Sequence, residues 1–308
     1  MFTKEEIAER TKFIGASEAA AVVGMSRWAT PMQVWAEKTG QIEVTNEEKL
    51  WITLGNKLEN TVAELFMEKT GKKVRRVTEA YTHPQYSFLR CHIDRKVEGE
   101  KAILQCKTAS AFKSKEWKED DIPQEYILQE YHELACTGYE KVYIACLIGN
   151  TDFQIKEITR DAEKMDWLIK NEVQFWNNYV IPKVMPIMLK PADNKIMVEL
   201  FPQVLTSDIV YLPDKADNAD ALFDLLQAYK DDIKKVEQLK EQTEAQLKAL
   251  IGTHEGGATE KYLARWKNVA TSRLDVEKLK LTSPEIYEQY LIKTSGRRFT
   301  IKELGGKK

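Results

Sequence analysis

The sequence predicts an α/β (α+β) fold, in which a mixed central sheet is flanked by helices and followed by a helical C-terminal extension. Segments with the apolar spacing of helices lie on either side of a group of short strand-like runs. Residues 91–108 have the form of a β-hairpin, because two short runs are joined by Glu98, Gly99 and Glu100. Beyond residue 186 the composition changes to a stretch with three prolines, and then to a region rich in Lys, Glu, Gln and Leu.

This change of composition divides the chain into three predicted parts. Residues 1–186 form a core, residues 187–217 an irregular connector, and residues 218–308 an extension that contains a long helix or a helical hairpin. A length of 308 residues is sufficient for one large domain with an appendage.

The composition is that of a soluble globular protein, with 43% hydrophobic and 31% charged residues. The net charge of -2 gives no argument for a nucleic-acid partner, so any basic site must be local. The four cysteines form no CxxC pair, and we expect reduced, buried thiols in a cytosolic protein. We find no signal peptide and no apolar run of membrane-spanning length, so no membrane association is expected.

The first part of the core is predicted to be helical. Ser17 can cap a helix over residues 18–23, and Thr30 with Pro31 begins a second helix over residues 32–39. The strongest helical pattern covers residues 47–70 and contains Glu59.

The remaining elements of the core alternate between strands and helices. The predicted strands cover residues 73–81, 88–97, 102–107, 141–147 and 152–158. The predicted helices cover residues 110–118, 123–137 and 160–180. In the extension we predict helix over residues 220–251, a strand over 262–269, a helix from Ser283 and a strand-like piece over 297–304.

The hairpin over residues 91–108 carries the candidate chemistry. Its first strand is expected to present Asp94, and strand alternation puts Gln105 and Lys107 on one face of the second strand, with Cys106 on the other. The Asp94 carboxylate can bind Mg²⁺, with Glu59 and the Cys106 backbone carbonyl as further ligands. Lys107 can stabilise the pentavalent phosphate of the transition state. The pattern is weak, and from spacing alone a surface ion pair between Asp94 and Lys107 is the better explanation.

Several motifs occur together and in order, and they carry a resemblance to a known family. They lie at residues 15–24, 28–40, 54–59, 92–94, 104–109 and 122–129. Together they resemble the YqaJ-like viral recombinases, which are phage alkaline exonucleases of the lambda type with a PD-(D/E)xK nuclease fold. The resemblance covers residues 8–185, and residues 220–308 resemble the C-terminal extension of phage members more loosely.

The resemblance implies a metal-dependent deoxyribonuclease that degrades one strand of double-stranded DNA from a 5′-phosphorylated end. Mg²⁺ is the implied cofactor, with Mn²⁺ as a substitute, and the product is a 3′ overhang for a phage single-strand annealing protein. It also implies a ring-shaped trimer in the cytoplasm of a bacterial host. The alternatives that remain open are a catalytically dead module that binds DNA ends, and an endonuclease or RecB-like repair nuclease of the same fold.

The resemblance also implies roles for individual residues. Glu59, Asp94 and Gln105 correspond to metal-site positions, and Lys107 to the catalytic lysine. Three further residues correspond to DNA-binding positions: Arg10 and Ser17 at the 5′-phosphate, and Gln129 on a helix that faces the active site. Lys113 follows the catalytic strand and is a candidate phosphate contact, although a solvated helix face explains it as well.

Gln105 departs from the family pattern, which has glutamate at this position. An amide offers a neutral oxygen in place of an anionic one, so metal affinity and rate should both fall. One interpretation is an engineered Glu→Gln substitution that allows DNA binding without cleavage, and we favour it because the replacement is isosteric. The other is a natural glutamine with weak or lost activity.

Overall fold

The computed structural model describes residues 9–42, 50–118, 121–186, 189–206, 208–212 and 218–301. The chain divides into two compact units, Met1–Phe201 and Pro202–Lys308. We describe each unit by itself.

The first unit contains eight strands in its described residues. In chain order they are β1 Ile14–Gly15, β2 Val74–Arg76, β3 Tyr81–Thr82, β4 Leu89–Cys91, β5 Arg95–Val97, β6 Ala102–Ala109, β7 Lys141–Ile148 and β8 Asp152–Thr159. The central sheet has the order β2-β5-β6-β7-β8. Only the β6–β7 pair in this sheet is parallel, so the sheet is mixed, as predicted.

Helices cover both faces of this sheet. The α-helices of the first unit are α1 Ala19–Val22, α2 Pro31–Lys38, α3 Leu50–Thr70, α4 Gln124–Thr137, α5 Ala162–Phe175 and α6 Asp193–Leu200. Two 3-10 segments cover Ala16–Glu18 and Ala111–Trp117, and a π-helical turn, Trp176–Val180, continues α5. Within the described residues, none of the helices of the chain is long and apolar enough to span a membrane.

The side chains of β6 point alternately to two apolar clusters. Ala102 and Leu104 pack with Val62 and Phe66 of α3, whereas Ile103 belongs to the larger cluster that contains residues of α4. Because side chains alternate along a strand, Gln105 and Lys107 lie on the α4 face. The predicted alternation along this strand is therefore confirmed.

The predicted strand over residues 88–97 is wrong, because it forms two strands in two sheets. β4 pairs with β1 and β3, whereas β5 pairs with β2 and β6. Asp94 consequently lies in the connection just before β5 and not within a strand. Local sequence does not reveal this break, because the pairing partners are distant in the chain.

The segment around Ser17 also differs from the prediction. Ser17 lies inside the 3-10 turn Ala16–Glu18 and makes no helix cap; instead, the Gly15 N–H donates to Glu18 Oε2 at 2.8 Å. Thr30 does cap α2 as predicted, because its hydroxyl accepts a hydrogen bond from the Gln33 N–H at 3.1 Å.

The connector predicted over residues 187–217 contains a helix, α6, and the first compact unit extends to Phe201. The helix is held by tertiary contacts that the sequence pattern does not display. Thr30 donates a hydrogen bond to Asp193, and Ile196 is buried in the main apolar cluster. Pro191, one of the three prolines of this stretch, lies just before the helix, where a fixed φ is compatible with helix entry.

The cysteines are free thiols, as expected: Cys91, Cys136 and Cys146 are buried, and Cys106 is half-buried.

The second unit is built on a single long helix, α7 Ala219–Ile251, so the alternative of a helical hairpin is wrong. Its other described elements are the antiparallel pair β9 Gly256–Ala258 and β10 Leu263–Arg265, followed by α8 Val276–Thr282 and α9 Pro284–Tyr290. The predicted strand over residues 262–269 is therefore shorter than expected. Residues 297–301 form no strand, and the end of that predicted piece lies outside the described residues.

Helices α4 and α5 are joined by a buried ion pair. His132 Nδ1 lies 2.9 Å from Glu172 Oε1, its Nε2 lies 3.1 Å from the Arg90 carbonyl oxygen, and His132 and Glu172 are fully buried. Burial alone would lower the pKa of His132, but the Glu172 carboxylate holds it well above its ordinary value. Since both partners of the ring are acceptors, both ring nitrogens donate and the imidazole is charged.

Replacing His132 with leucine is expected to lower the free energy of unfolding by about 3–5 kcal/mol, because Glu172 would remain buried without a partner. Urea denaturation followed by far-UV circular dichroism measures this change. The double variant His132→Leu/Glu172→Met should recover much of the loss, because it removes both charges. Equal destabilisation in the single and double variants would contradict this account.

Candidate functional site

Asp94 is held against β6 by a backbone hydrogen bond. The Cys106 N–H donates to Asp94 Oδ2 at 2.8 Å. Burial raises the pKa of the Asp94 carboxyl above its ordinary value, while the charge of Lys107 and the Cys106 N–H oppose the shift. The carboxylate therefore has one oxygen oriented by the sheet and a cationic side chain within electrostatic range.

Lys107 points to helix α4. Its Nζ donates to Gln129 Oε1 at 3.0 Å and lies 5.0 Å from the centroid of the Tyr126 ring. Gln129 thus holds the lysine head in place, which agrees with its predicted position on a helix that faces the site. The surface ion pair considered as an alternative is disfavoured, because Lys107 is half-buried and the Asp94 environment is desolvated.

Gln105 lies on the same face of β6 as Lys107, the face that α4 covers. If the register Arg95↔Leu104 is continued by one residue, Asp94 stands opposite Gln105. Gln105 is only 5% exposed, and its Oε1 has no hydrogen-bond partner. A buried polar atom without a partner is costly, so this oxygen is available to a ligand.

Glu59 reaches the site from the opposite face of the sheet. It forms an ion pair with the buried Arg95, whose Nη1 also donates to the Asp94 carbonyl oxygen at 2.7 Å. The negative charge of Glu59 contributes to the raised pKa of Asp94. Glu59 and Lys107 thus both lie within electrostatic range of Asp94, Glu59 through the Arg95 side of the sheet and Lys107 on the α4 side.

The other predicted DNA-binding residues lie outside this group. Lys113 is half-buried in the 3-10 segment that follows β6, and Ser17 is exposed. The Arg10 carbonyl oxygen accepts a hydrogen bond from the buried Lys38 at 2.7 Å. The turn that contains Ser17 packs against α4, the helix that carries Gln129.

Two buried carboxylates of α4 were missed by the sequence analysis. Glu130 and Glu133 are both 0% exposed, and the Gln129 Nε2 donates to Glu133 Oε1 at 3.0 Å. Burial raises the pKa of Glu133 to about 8, and burial together with the Glu133 charge raises that of Glu130 well above its ordinary value. Helical spacing could have revealed these two residues. One face of the helix contains Gln129 and also Tyr126, Glu130 and Glu133.

The donor set fits a hard divalent cation. Mg²⁺ is commonly bound by one or two carboxylates together with waters and phosphate oxygens, and Asp94 and the unpartnered Gln105 oxygen are ligands of this kind. No group of three His, Cys, Asp or Glu residues suited to a metal occurs in the described part of the chain. Gln105 in place of a carboxylate is consistent with that result.

Comparison with solved structures gives the class of fold. LHK-Exo in complex with dAMP is 21% identical with a TM-score of 0.50, over 63% of this chain and 98% of that chain. The alkaline exonuclease LHK-Exo from Laribacter hongkongensis, solved separately, is 19% identical with a TM-score of 0.49, over 65% and 100% of the two chains. The present chain has the PD-(D/E)xK fold.

Comparison of sequences gives the family. A model of the YqaJ-like viral recombinase domain matches residues 7–140. The uncharacterized protein YqaJ of Bacillus subtilis (strain 168) is 37% identical over 307 residues, which are 99% of this chain and 95% of that protein. The chain belongs to the YqaJ-like viral recombinase family, and the resemblance recognised from its motifs is confirmed.

Proposed function

We propose that this protein is a Mg²⁺-dependent nuclease that degrades one strand of double-stranded DNA from the 5′ end and leaves a 3′ overhang. One observation supports this above all: Asp94 is hydrogen-bonded to β6 within electrostatic range of Lys107, and Gln105 of the same strand has a buried oxygen without a partner. A carboxylate, an oxygen donor and an oriented lysine are the groups that phosphodiester hydrolysis requires.

Each residue has a distinct role in this proposal. Asp94, the Gln105 oxygen, the Cys106 carbonyl and Glu59 would hold the cation. The bound ion, Mg²⁺ or Mn²⁺, would activate water and neutralise phosphate charge. Glu59 would have to exchange its present partner Arg95 for the ion or its water shell.

Lys107 would orient the attacking water or stabilise the charge that develops on the phosphate. Its hydrogen bond to Gln129 holds the ammonium group of Lys107 in one orientation before DNA binds. Such orientation lowers the reorganisation needed during the reaction.

DNA binding is proposed for three residues that lie outside this group. Arg10 and Ser17 would hold the 5′-phosphate, while Lys113 would contact the backbone. The chain with Gln105 is expected to have reduced activity because Gln105 supplies no charge. As the resemblance implies, it would act as a ring-shaped trimer and supply its 3′ overhang to a phage single-strand annealing protein.

Digestion of three substrates by the Gln105→Glu protein tests the proposal. Linear duplex with a 5′-phosphate should be degraded faster than the 5′-hydroxyl form, and a covalently closed circle should remain intact. EDTA should stop digestion, because the cation would be removed. Cleavage of circles would indicate an endonuclease, and DNA binding without any cleavage would indicate a module that only binds ends.

A further inference from the structure

Unsatisfied oxygen atoms are concentrated at one place in the molecule. Among the described residues, the buried side-chain nitrogen and oxygen atoms that lack a hydrogen-bond partner are Gln105 Oε1, both Glu130 oxygens and Glu133 Oε2. All four are oxygen atoms that can accept a hydrogen bond or bind a cation. Native structures pair nearly all such buried atoms, so a cluster of four indicates a missing positively charged or proton-donating ligand.

These oxygens belong to β6 and α4, the strand of Lys107 and the helix of Gln129. A hydrogen-bonded chain runs from Lys107 through Gln129 to Glu133, with 3.0 Å at each step. The charges of Asp94 and Lys107 both act on the pKa values of Glu130 and Glu133, which shows that the four groups share one electrostatic environment. The cluster therefore belongs to the space between β6 and α4.

We propose that Glu133 is a metal-binding residue, and that it supplies from helix α4 the anionic oxygen that Gln105 does not supply from β6. A divalent cation would then be held by two carboxylates, Asp94 and Glu133, and by the amide oxygen of Gln105. This inference rests on the proposed metal-dependent nuclease function. It extends that function, because the site would retain two anionic ligands with Gln105 present. The second carboxylate would come from helix α4 and not from strand β6.

Glu133 is better suited to this role than its neighbour Glu130. One oxygen of Glu133 is already oriented by the Gln129 amide, and the other is open. Neither oxygen of Glu130 has a partner other than the Glu133 carboxyl, whose proximity raises the Glu130 pKa. Since two adjacent buried carboxyls do not both ionise readily, Glu130 is assigned as the protonated member of the pair.

The combination of ligands agrees with the chemistry of hard cations. Two carboxylates and one amide oxygen leave positions for water and phosphate, as Mg²⁺ prefers. In this arrangement Glu59 would act only through the water shell of the ion, so the direct ligands include two acidic residues. In the described ranges no group of three His, Cys, Asp or Glu residues is suited to a metal.

Mn²⁺ binding to the full chain, measured by electron paramagnetic resonance without DNA, tests the assignment. Glu133→Gln should weaken Mn²⁺ binding at least tenfold, within the range of about 10–100-fold known for changes around metal sites. Glu125→Gln is the matched control, because Glu125 is a buried glutamate on the same helix that pairs with Arg27. It should bind Mn²⁺ like the native chain.

A second variant distinguishes the loss of a metal ligand from the loss of folding. The exchange Gln105→Glu/Glu133→Gln returns the carboxylate to the strand and should restore Mn²⁺ affinity to within about threefold of the native value, a free-energy difference below that of one tenfold step. Native-like Mn²⁺ binding by Glu133→Gln, no binding by the native chain, or failure of the folded exchange variant to bind would overturn the proposal.

The readout separates this inference from the proposed function. Mn²⁺ binding that depends on Glu133, in a protein that never cleaves DNA, would support the metal site and remove the nuclease proposal. If Glu133→Gln retained DNA cleavage and native Mn²⁺ affinity, the nuclease proposal would stand and Glu133 would be excluded from the metal site.

Discussion

Replacing Gln105 with glutamate should raise the rate of Mg²⁺-dependent hydrolysis of 5′-phosphorylated duplex DNA by about two orders of magnitude. The reason is electrostatic. The Gln105 oxygen is buried and unpartnered, and converting it to a carboxylate adds a full negative charge beside Asp94. A gain of about 3 kcal/mol in stabilisation of the metal-bound transition state corresponds to roughly a hundredfold in rate.

The measurement is a single-turnover digestion of both proteins across a Mg²⁺ titration, which separates metal affinity from the rate at saturation. Gln174→Glu is a suitable control, because it makes the same change of charge at an exposed position of α5. Equal rates for the native and Gln105→Glu proteins would remove Gln105 from the metal site. A matching rise in Gln174→Glu would attribute the effect to net charge.

Replacing Lys107 with methionine in the Gln105→Glu protein should lower the single-turnover rate by about 10²–10³-fold, the range observed when one oriented donor to a transition state is lost. Methionine retains much of the apolar stem but removes the ammonium that Gln129 now orients. DNA affinity should change little, because a single phosphate contact is a small part of the electrostatic binding energy.

Rate and affinity must be measured separately for this variant, by digestion under single-turnover conditions and by DNA binding in Ca²⁺. Lys101→Met provides the control, because Lys101 is exposed and lies just before the opposite end of β6. A loss confined to DNA affinity would make Lys107 a binding residue. An unchanged rate would exclude it from the reaction.

Local patterns in the sequence predicted much of the fold. The turn at Gly99 and the alternation along β6 placed Gln105 and Lys107 on one face, and the structure has that arrangement. The helix that carries Glu59 and the helix that carries Gln129 were also predicted, since apolar spacing and glycine at a helix end are local signals.

The errors share a physical origin in long-range contacts. The strand predicted over residues 88–97 divides because β4 and β5 find partners far apart in sequence. Helix α6 forms in a proline-containing stretch because Asp193 and Ile196 are held by the rest of the core. Neither effect leaves a pattern within the segment itself.

By itself, the sequence determined the fold class and the alternation that puts Gln105 and Lys107 on one face of β6, because periodicity and turn chemistry act between near neighbours. Only the tertiary structure decided that α4 closes over β6, so that Gln129 meets Lys107 and Glu133 becomes buried beside Asp94. A carboxylate on a helix looks solvent-facing until the surface that covers it is known, and that surface is assembled from distant parts of the chain.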